Sequence, residues 1–450
     1  MNILKWWNRT FTWVLGKPGS LSFNLARNTM GVMIIRALSM GLSFAVSMVL
    51  ARILGVREFG LYSLAMSVLG FLIIPTVLGL PKLLVREIAA YCVKHEWELV
   101  RGLISFSQRF SLLTSLGIAL SGSLVLRVLF ARLPEEIVRV LSLVFVALPF
   151  WGFLEIYGEA LRGFGQVLTS QWVSMVMRPF YFLILVGAVW IFRSRIMDAC
   201  AALTLHIVAA GIALIFAFFL LRNQLYRSVP TNLVSYKTTI WVRSAIFLAF
   251  LTFLNLIPQH VGILMISCIR SPEEAGLYKV AYQTSSLVPF GLMAINTAIA
   301  PTLAQFYAAG EKVKLKRIMI TASALSTFSA LPFVFLFIFR GAWFLILTFG
   351  TPFAQSAIAL GIITLSQLIN AATGPVGNLL IMSGHENKAT LSLGIGCAIY
   401  LFSNAALVQI LGINGAAIAF AIAWTTTNLL NLYFVFQIFQ TKFSGSGENP

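Results

Sequence analysis

Acid is scarce in this chain: of 450 residues only 14 are Asp or Glu, Asp198 is the single aspartate, and charged residues of both signs make up 10%. An ordinary soluble chain carries about 25% charged residues, so a water-soluble enzyme is excluded. Cysteine is scarce too. Cys92, Cys200, Cys268 and Cys397 lie far apart, form no CxxC and have no histidine at ligand spacing, which indicates neither a disulfide framework nor a metal site. Long polar loops are also missing. Without an extramembrane domain, whatever the protein does falls to its apolar helices.

Hydrophobic residues make up 59% of the chain, in apolar runs that recur from end to end. The runs are 28–54, 60–84, 103–130, 136–161, 168–192, 197–221, 243–268, 276–307, 318–340, 353–382, 388–410 and 413–439. Each is long enough to cross ~30 Å of hydrocarbon. The expected fold class is an all-α polytopic membrane protein with twelve transmembrane helices.

The 32 Lys and Arg residues sit in short loops rather than in a basic domain with interleaved aromatics, so no nucleic acid is expected. Their partners are membrane lipids and an anionic cargo. Roughly twice as many bases fall on the side of the N-terminus as on the other, where Arg52, Arg57 and Lys279 are counted, so the positive-inside rule puts both termini in the cytoplasm. Trp190 and Trp343 fit an outer aromatic belt, and Trp97, Trp172 and Trp241 an inner one. The N-terminal segment mixes Lys5, Trp6, Trp7, Arg9 and Lys17 without a signal-peptide core, and reads as an interfacial amphipathic anchor.

An internal repeat organises the chain. Arg57-Glu58-Phe59-Gly60-Leu61-Tyr62 lines up with Glu273-Glu274-Ala275-Gly276-Leu277-Tyr278 at an offset of 216 residues (Gly60 to Gly276), and Pro81-Lys82 with Pro301-Thr302 a few residues later. Six helices per copy make both copies enter the membrane from the same side, so substrate belongs at the seam between halves. The implied domains are a cytoplasmic N-terminal segment 1–26, a six-helix bundle 27–221, a cytoplasmic linker 222–242, a second bundle 243–440 and a tail 441–450.

Polar residues inside the apolar runs are the candidate site. Arg36, Ser39, Ser43 and Ser47 recur at spacings of three, four and four, which keeps them on one helical stripe. At the 216-residue offset Thr252, Asn255 and Gln259 stand opposite Arg36, Ser39 and Ser43, so two stripes would line one cavity; the alternative is that they glue helices together. Arg36, Arg178 and Glu155 all fall about 22–24 Å from the outer boundary at ~1.5 Å per residue, which predicts a mixed cluster, with snorkelling to the headgroups as the alternative. Two arginines offer forks suited to phosphate oxygens. Glu159 is read as a rim charge. His206 and His260 are candidates for carrying protons or for hydrogen-bonded packing. Pro75, Pro179, Pro258 and Pro289 allow bends or static kinks.

The stretch Val49-Leu50-Ala51-Arg52-Ile53-Leu54-Gly55 with Glu58-Phe59-Gly60-Leu61-Tyr62, then Gly79-Leu80 and Val85-Arg86-Glu87, resembles the prokaryotic oligosaccharide and polysaccharide flippases of the Wzx type. Leu161-Arg162-Gly163-Phe164-Gly165 and Gly412-Ile413-Asn414-Gly415 extend the likeness over residues 27–440 or so. These belong to the superfamily that also holds multidrug extruders and lipid II flippases. The resemblance implies a V-shaped pair of six-helix bundles that moves a polyprenyl-diphosphate-linked oligosaccharide to the outer leaflet by alternating access, in O-antigen, lipopolysaccharide or other polysaccharide biosynthesis. It also implies an inner-membrane location and basic residues in the lumen, the role Arg36 matches by position. Drug extruders of the superfamily usually keep acids in the first or seventh span, and none stands there in this chain.

The expectation is therefore a monomeric flippase, not an enzyme, with no catalytic residues and no cofactor beyond possible coupling to membrane potential, H+ or Na+. Arg36 and Arg178 would hold the diphosphate. Ser39, Ser43, Thr252, Asn255 and Gln259 would meet the sugar, and Glu155, Glu159, His206 and His260 would balance charge or couple. Other polysaccharide-assembly proteins are conceivable partners. The rivals are a cation-coupled multidrug exporter and a membrane glycan polymerase or ligase, the latter expected to carry a long outer loop.

Overall fold

The structure, a computed structural model, describes residues 21–128, 134–193, 197–228 and 233–443. The expected N-terminal anchor lies outside the described residues, as do Arg132 and Arg195, residues 444–450 of the tail and residues 229–232 of the linker. Every described element is helical.

Nine described helices are long and apolar enough to cross a membrane, and ten when one bent pair is joined. The chain is a multi-pass membrane protein. Two of the nine are double-length. Helix α1 (Leu21–Val77) runs through Gly55, whose φ of 72° and ψ of 179° break it, and the last helix, Glu386–Phe443, is broken at Gly412 with φ 55°. Both turns need a left-handed backbone that glycine adopts without steric penalty. The break divides each of these two helices into two segments.

Between these come α2 (Leu80–Lys94), α3 (Trp97–Val128), α4 (Glu135–Gly163), α5 (Val167–Gln171), a π-helical turn (Trp172–Met177), α6 (Arg178–Arg193) and α7 (Ala199–Ser228). The second copy holds α8 (Thr238–Ile269), α9 (Pro272–Ser285), α10 (Phe290–Ala308), α11 (Lys312–Phe349), a 3-10 turn (Thr351–Ser356), α12 (Ala357–Thr373), α13 (Val376–Met382) and α14 (Glu386–Phe443). The run 60–84 is therefore interrupted between Val77 and Leu80, and α9 and α10 meet at 48° beside Pro289.

Proline frees a carbonyl four residues back, and in hydrocarbon that oxygen needs a donor. At two prolines a neighbouring helix supplies it. The Met175 carbonyl, left open by Pro179, accepts from Ser39 Oγ at 3.0 Å. The Leu254 carbonyl, left open by Pro258, accepts from Cys397 Sγ at 3.3 Å.

The two copies of the repeat meet at their matching residues. An added Cβ on Gly60 would stand 1.8 Å from the Pro272 carbonyl, and one on Gly276 3.1 Å from the Gly60 Cα. Equivalent positions touch only where an approximate twofold axis passes between them, and small residues let backbones approach where lipid supplies no hydrophobic drive. Each copy also sends its glutamate to the start of its own last segment. Glu58 accepts from the Ala199 N–H at 2.8 Å, and Glu274 lies 2.6 Å from where a Gly412 Cβ would stand.

Around this axis one face of the molecule is closed. Arg57 reaches its repeat counterpart Glu273 at 3.5 Å and Glu136 at 2.9 Å, while Arg52 donates to the carbonyls of Thr348, at 2.8 Å, and Leu347. On the opposite, linker-bearing face, α8 is docked into the first half. The Gly79 Cβ position is 2.2 Å from the Ala245 carbonyl, and Trp241 is fully buried with its indole N–H donating to Tyr91 Oη at 3.1 Å. Trp241 is thus no belt residue. It packs in the core, whereas Trp172, Trp190 and Trp343 are exposed.

Candidate functional site: a cationic pocket between the halves

The stripe on α1 faces inward. Ser39, Ser43 and Ser47 line a central pocket of about 420 Å3 together with Tyr62, Ser63, Ser174, Arg178, His206, Gln259, Lys279 and Gln283. Two contacts tie the halves together across it: Ser47 Oγ donates to Gln283 Oε1 at 2.7 Å, and Gln283 Nε2 donates to the Ser43 carbonyl at 2.9 Å.

Arg178 owes its place to the π-helical turn before it and the proline after it, a local widening of the kind that recurs at functional positions. Its guanidinium lies 4.9 Å from the centre of the Trp151 ring, a cation–π contact. Glu155 stands one turn along α4 from Trp151. The Arg178 Nε is buried with no hydrogen-bond partner, and such a donor is expensive to leave unmade.

His206 is built in as firmly. Its ring stacks on Phe182 at 4.4 Å, its Nδ1 shares a 2.7 Å hydrogen bond with Tyr62 Oη, and Trp151 meets its edge. The pocket thus gathers a guanidinium, an ammonium, an imidazole and a set of hydroxyls and amides, and none of its lining residues is acidic.

A second, open pocket of about 460 Å3 adjoins the first, sharing Ser39 and Met175 with it. Arg36 lies here with Met40, facing Ser286, Pro289, Phe290 and Met293 of the second copy. Arg36 and Arg178 therefore do not form one cluster with Glu155. They stand in consecutive chambers, because the depth along a helix places residues on a level without saying which gap they face.

The other expected site residues separate. Gln259 lines the central pocket. Thr252 and Asn255 do not line it; their side chains donate to carbonyls of their own helix, Leu248 at 2.9 Å and Leu251 at 2.7 Å. His260 packs between the copies instead, 2.6 Å from where a Gly70 Cβ would stand and 5.9 Å from the Phe71 ring. Glu159 pairs with Arg162 at 3.4 Å.

Lys279 is the main correction. Hydropathy places it among the charges of the outer side, yet it lines the central pocket. The repeat carried the signal, since Lys279 is the counterpart of Ser63 at 216 residues and both line the pocket. Tyr62, Ser174 and Gln283 were missed as well. Trp151, which holds Arg178, had no signal in the sequence.

Solved structures share this fold. An inward-facing multidrug resistance MATE family transporter superposes with a TM-score of 0.76 at 13% identity, covering 92% of this chain and all of that one. The lipid II flippase MurJ in its inward closed conformation gives 0.66 at 13% identity, with 93% of each chain covered. A MOP superfamily transporter from Pyrococcus furiosus, described as having a binding pocket of reverse polarity, gives 0.64 at 13% identity over 96% of this chain and 98% of that one.

Residues 25–307 match the family of polysaccharide biosynthesis proteins, and the chain belongs to it. It is also 20% identical over 186 residues to the probable low-salt glycan biosynthesis flippase Agl15 of Haloferax volcanii, a match covering 41% of this chain. That match spans 39% of the length of the curated relative.

Proposed function

We propose that the protein is a flippase that carries a lipid-linked glycan across the bilayer, holding its phosphate groups between Arg178 and Lys279. The observation that carries this reading is the pocket itself: one cation from each copy of the repeat, no lining acid, and hydroxyl and amide groups suited to sugar. Its volume of about 420 Å3 lies within the ordinary range of small-molecule sites. It suits a diphosphate and the sugar next to it. The rest of the glycan and the polyprenyl chain would extend through the open chamber of Arg36, between α1 and α10, into water and lipid. Membership of the polysaccharide biosynthesis family supports the glycan; a cation-coupled drug exporter would need acid where this pocket has base.

The excess of Lys and Arg on the linker face orients that face toward the cytoplasm in this reading. The open chamber then faces the side where the cargo is made. Glu155 balances Arg178 when the pocket is empty. An inside-negative potential contributes ~2.3 kcal/mol per charge per 100 mV to outward movement of an anion, so the potential itself could drive transport.

The test is glycan export by a deletion strain complemented with Arg178→Ala or Lys279→Ala. Each removes a charge-assisted contact of ~1.5–3 kcal/mol, so export should fall roughly tenfold to hundredfold at equal protein level. Arg178→Lys keeps the charge but loses the fork and falls between. Wild-type export by both alanine variants would remove the pocket from the transport path.

A further inference from the structure

We infer that the first half carries a second phosphate site, on its lipid-facing flank, that holds the headgroup of an anionic phospholipid. A groove of about 620 Å3, larger than the central pocket, runs between α3 and α7 and is lined by Arg101, Gln108, Phe218, Phe219, Arg222 and Tyr226, among others. It shares no residue with either central chamber. The assignment is therefore independent of the transport reading.

Two guanidinium groups from separate helices share this groove, and none of its lining residues is acidic. The Arg101 Nε is buried without a hydrogen-bond partner. Both arginines stand at the linker-face ends of their helices, Arg101 one turn after Trp97 and Arg222 six residues before Ser228. That is the level at which headgroups meet water. Deeper along α7, Phe218 and Phe219 are 42% and 60% exposed.

The arrangement is amphipathic in the same order as a phospholipid, with charge at the interface and a bare aromatic wall beneath. A free phosphate would have no use for the wall. Guanidinium forks suit phosphate oxygens, and basic pockets between transmembrane helices hold anionic headgroups. The site also adjoins the linker: Ser235 donates its N–H to the Glu98 carbonyl at 3.1 Å, and its own carbonyl lies 1.8 Å from where a Gly102 Cβ would stand. A lipid bound here sits beside the segment that joins the halves.

The experiment is native mass spectrometry of the purified full-length protein titrated with phosphatidylglycerol and with phosphatidylcholine of the same acyl chains. Wild type should bind phosphatidylglycerol roughly tenfold more tightly or better, since one charge-assisted contact suffices for that. The double variant Arg101→Gln/Arg222→Gln should lose the preference. Lys316→Gln/Arg317→Gln, which removes the same charge from the exposed start of α11, should keep it. If the double variant does not fold, Arg222→Gln alone, at an exposed position, should show a partial loss.

Equal binding of the two lipids, or a preference that survives loss of the groove arginines, would overturn the assignment. A third arm adds polyprenyl diphosphate. If it displaces phosphatidylglycerol from wild type and its own binding depends on Arg101 and Arg222, the groove serves the cargo and not the bulk lipid, which also overturns the proposal.

Discussion

The repeat gives the molecule two equivalent seams on its linker face, and they are in opposite states. At one, α8 lies against α2 with backbone in contact at Gly79 and with Trp241 locked into the first half. At the other, α1 and α10 face each other across the open chamber of Arg36. Since the two seams descend from one arrangement, the difference lies in the side chains at each. The closed seam has a glycine, an alanine and a buried indole; the open one has an arginine, methionines and the bend at Pro289. In the proposed flippase one seam serves as a joint and the other as an entrance.

Locking the open seam should have the largest effect. With the native cysteines replaced, Met40→Cys and Met293→Cys, both lining the open chamber, joined by a thiol cross-linker should abolish glycan export, and a cleavable linker should restore it on reduction. Export that survives full cross-linking would mean that α1 and α10 need not part.

Overfilling the closed seam has an effect of intermediate size, measured against a glycine of α1 that faces open space. A leucine at Gly79 meets the Ala245 carbonyl at once, and overpacking of this kind destabilises by ~1–3 kcal/mol. Gly41, on the first half of α1, has nothing within 4 Å of an added Cβ. Thermal unfolding in detergent should therefore show Gly79→Leu well below wild type and Gly41→Leu close to it. The reverse order would break the assignment of the joint.

The smallest effect belongs to the exposed pair that bridges the axis on the opposite face. Arg57 and Glu273 are 60% and 41% exposed, so Arg57→Glu or Glu273→Arg alone should shift the unfolding midpoint by no more than an exposed pair is worth, ~0.2–1 kcal/mol. The double exchange should recover part of it. Absence of recovery would assign the Arg57 charge to Glu136 alone.

Much of this was legible beforehand. The repeat at Gly60 and Gly276 was visible as a pattern of letters, and its counterparts turn out to touch because the axis that relates the copies runs between them. The stripe Ser39, Ser43, Ser47 was legible because helical spacing fixes which residues share a face. Thr252 and Asn255 show the limit of the same argument, since a hydroxyl or amide on a helix can satisfy itself on the carbonyl a turn back and needs no cavity. Lys279 was misplaced because a charge in an apolar run reads as the end of the run, when here it faces the pocket from within. Trp241 was read as a belt residue because an indole near a helix end fits both lipid interface and core.

By itself, the sequence determined the class of protein: too little charge for water, too much hydrocarbon for anything but membrane, and a duplicated motif that fixes two related halves. These are properties of composition and period, which survive any arrangement of the helices. Which cations share a chamber, which seam is shut and where an arginine Nε is buried without a hydrogen-bond partner were decided only by tertiary structure. Those depend on helix rotation and on the approach of backbones across an axis, and a π-helical turn or a single glycine resets both without leaving a trace in hydropathy.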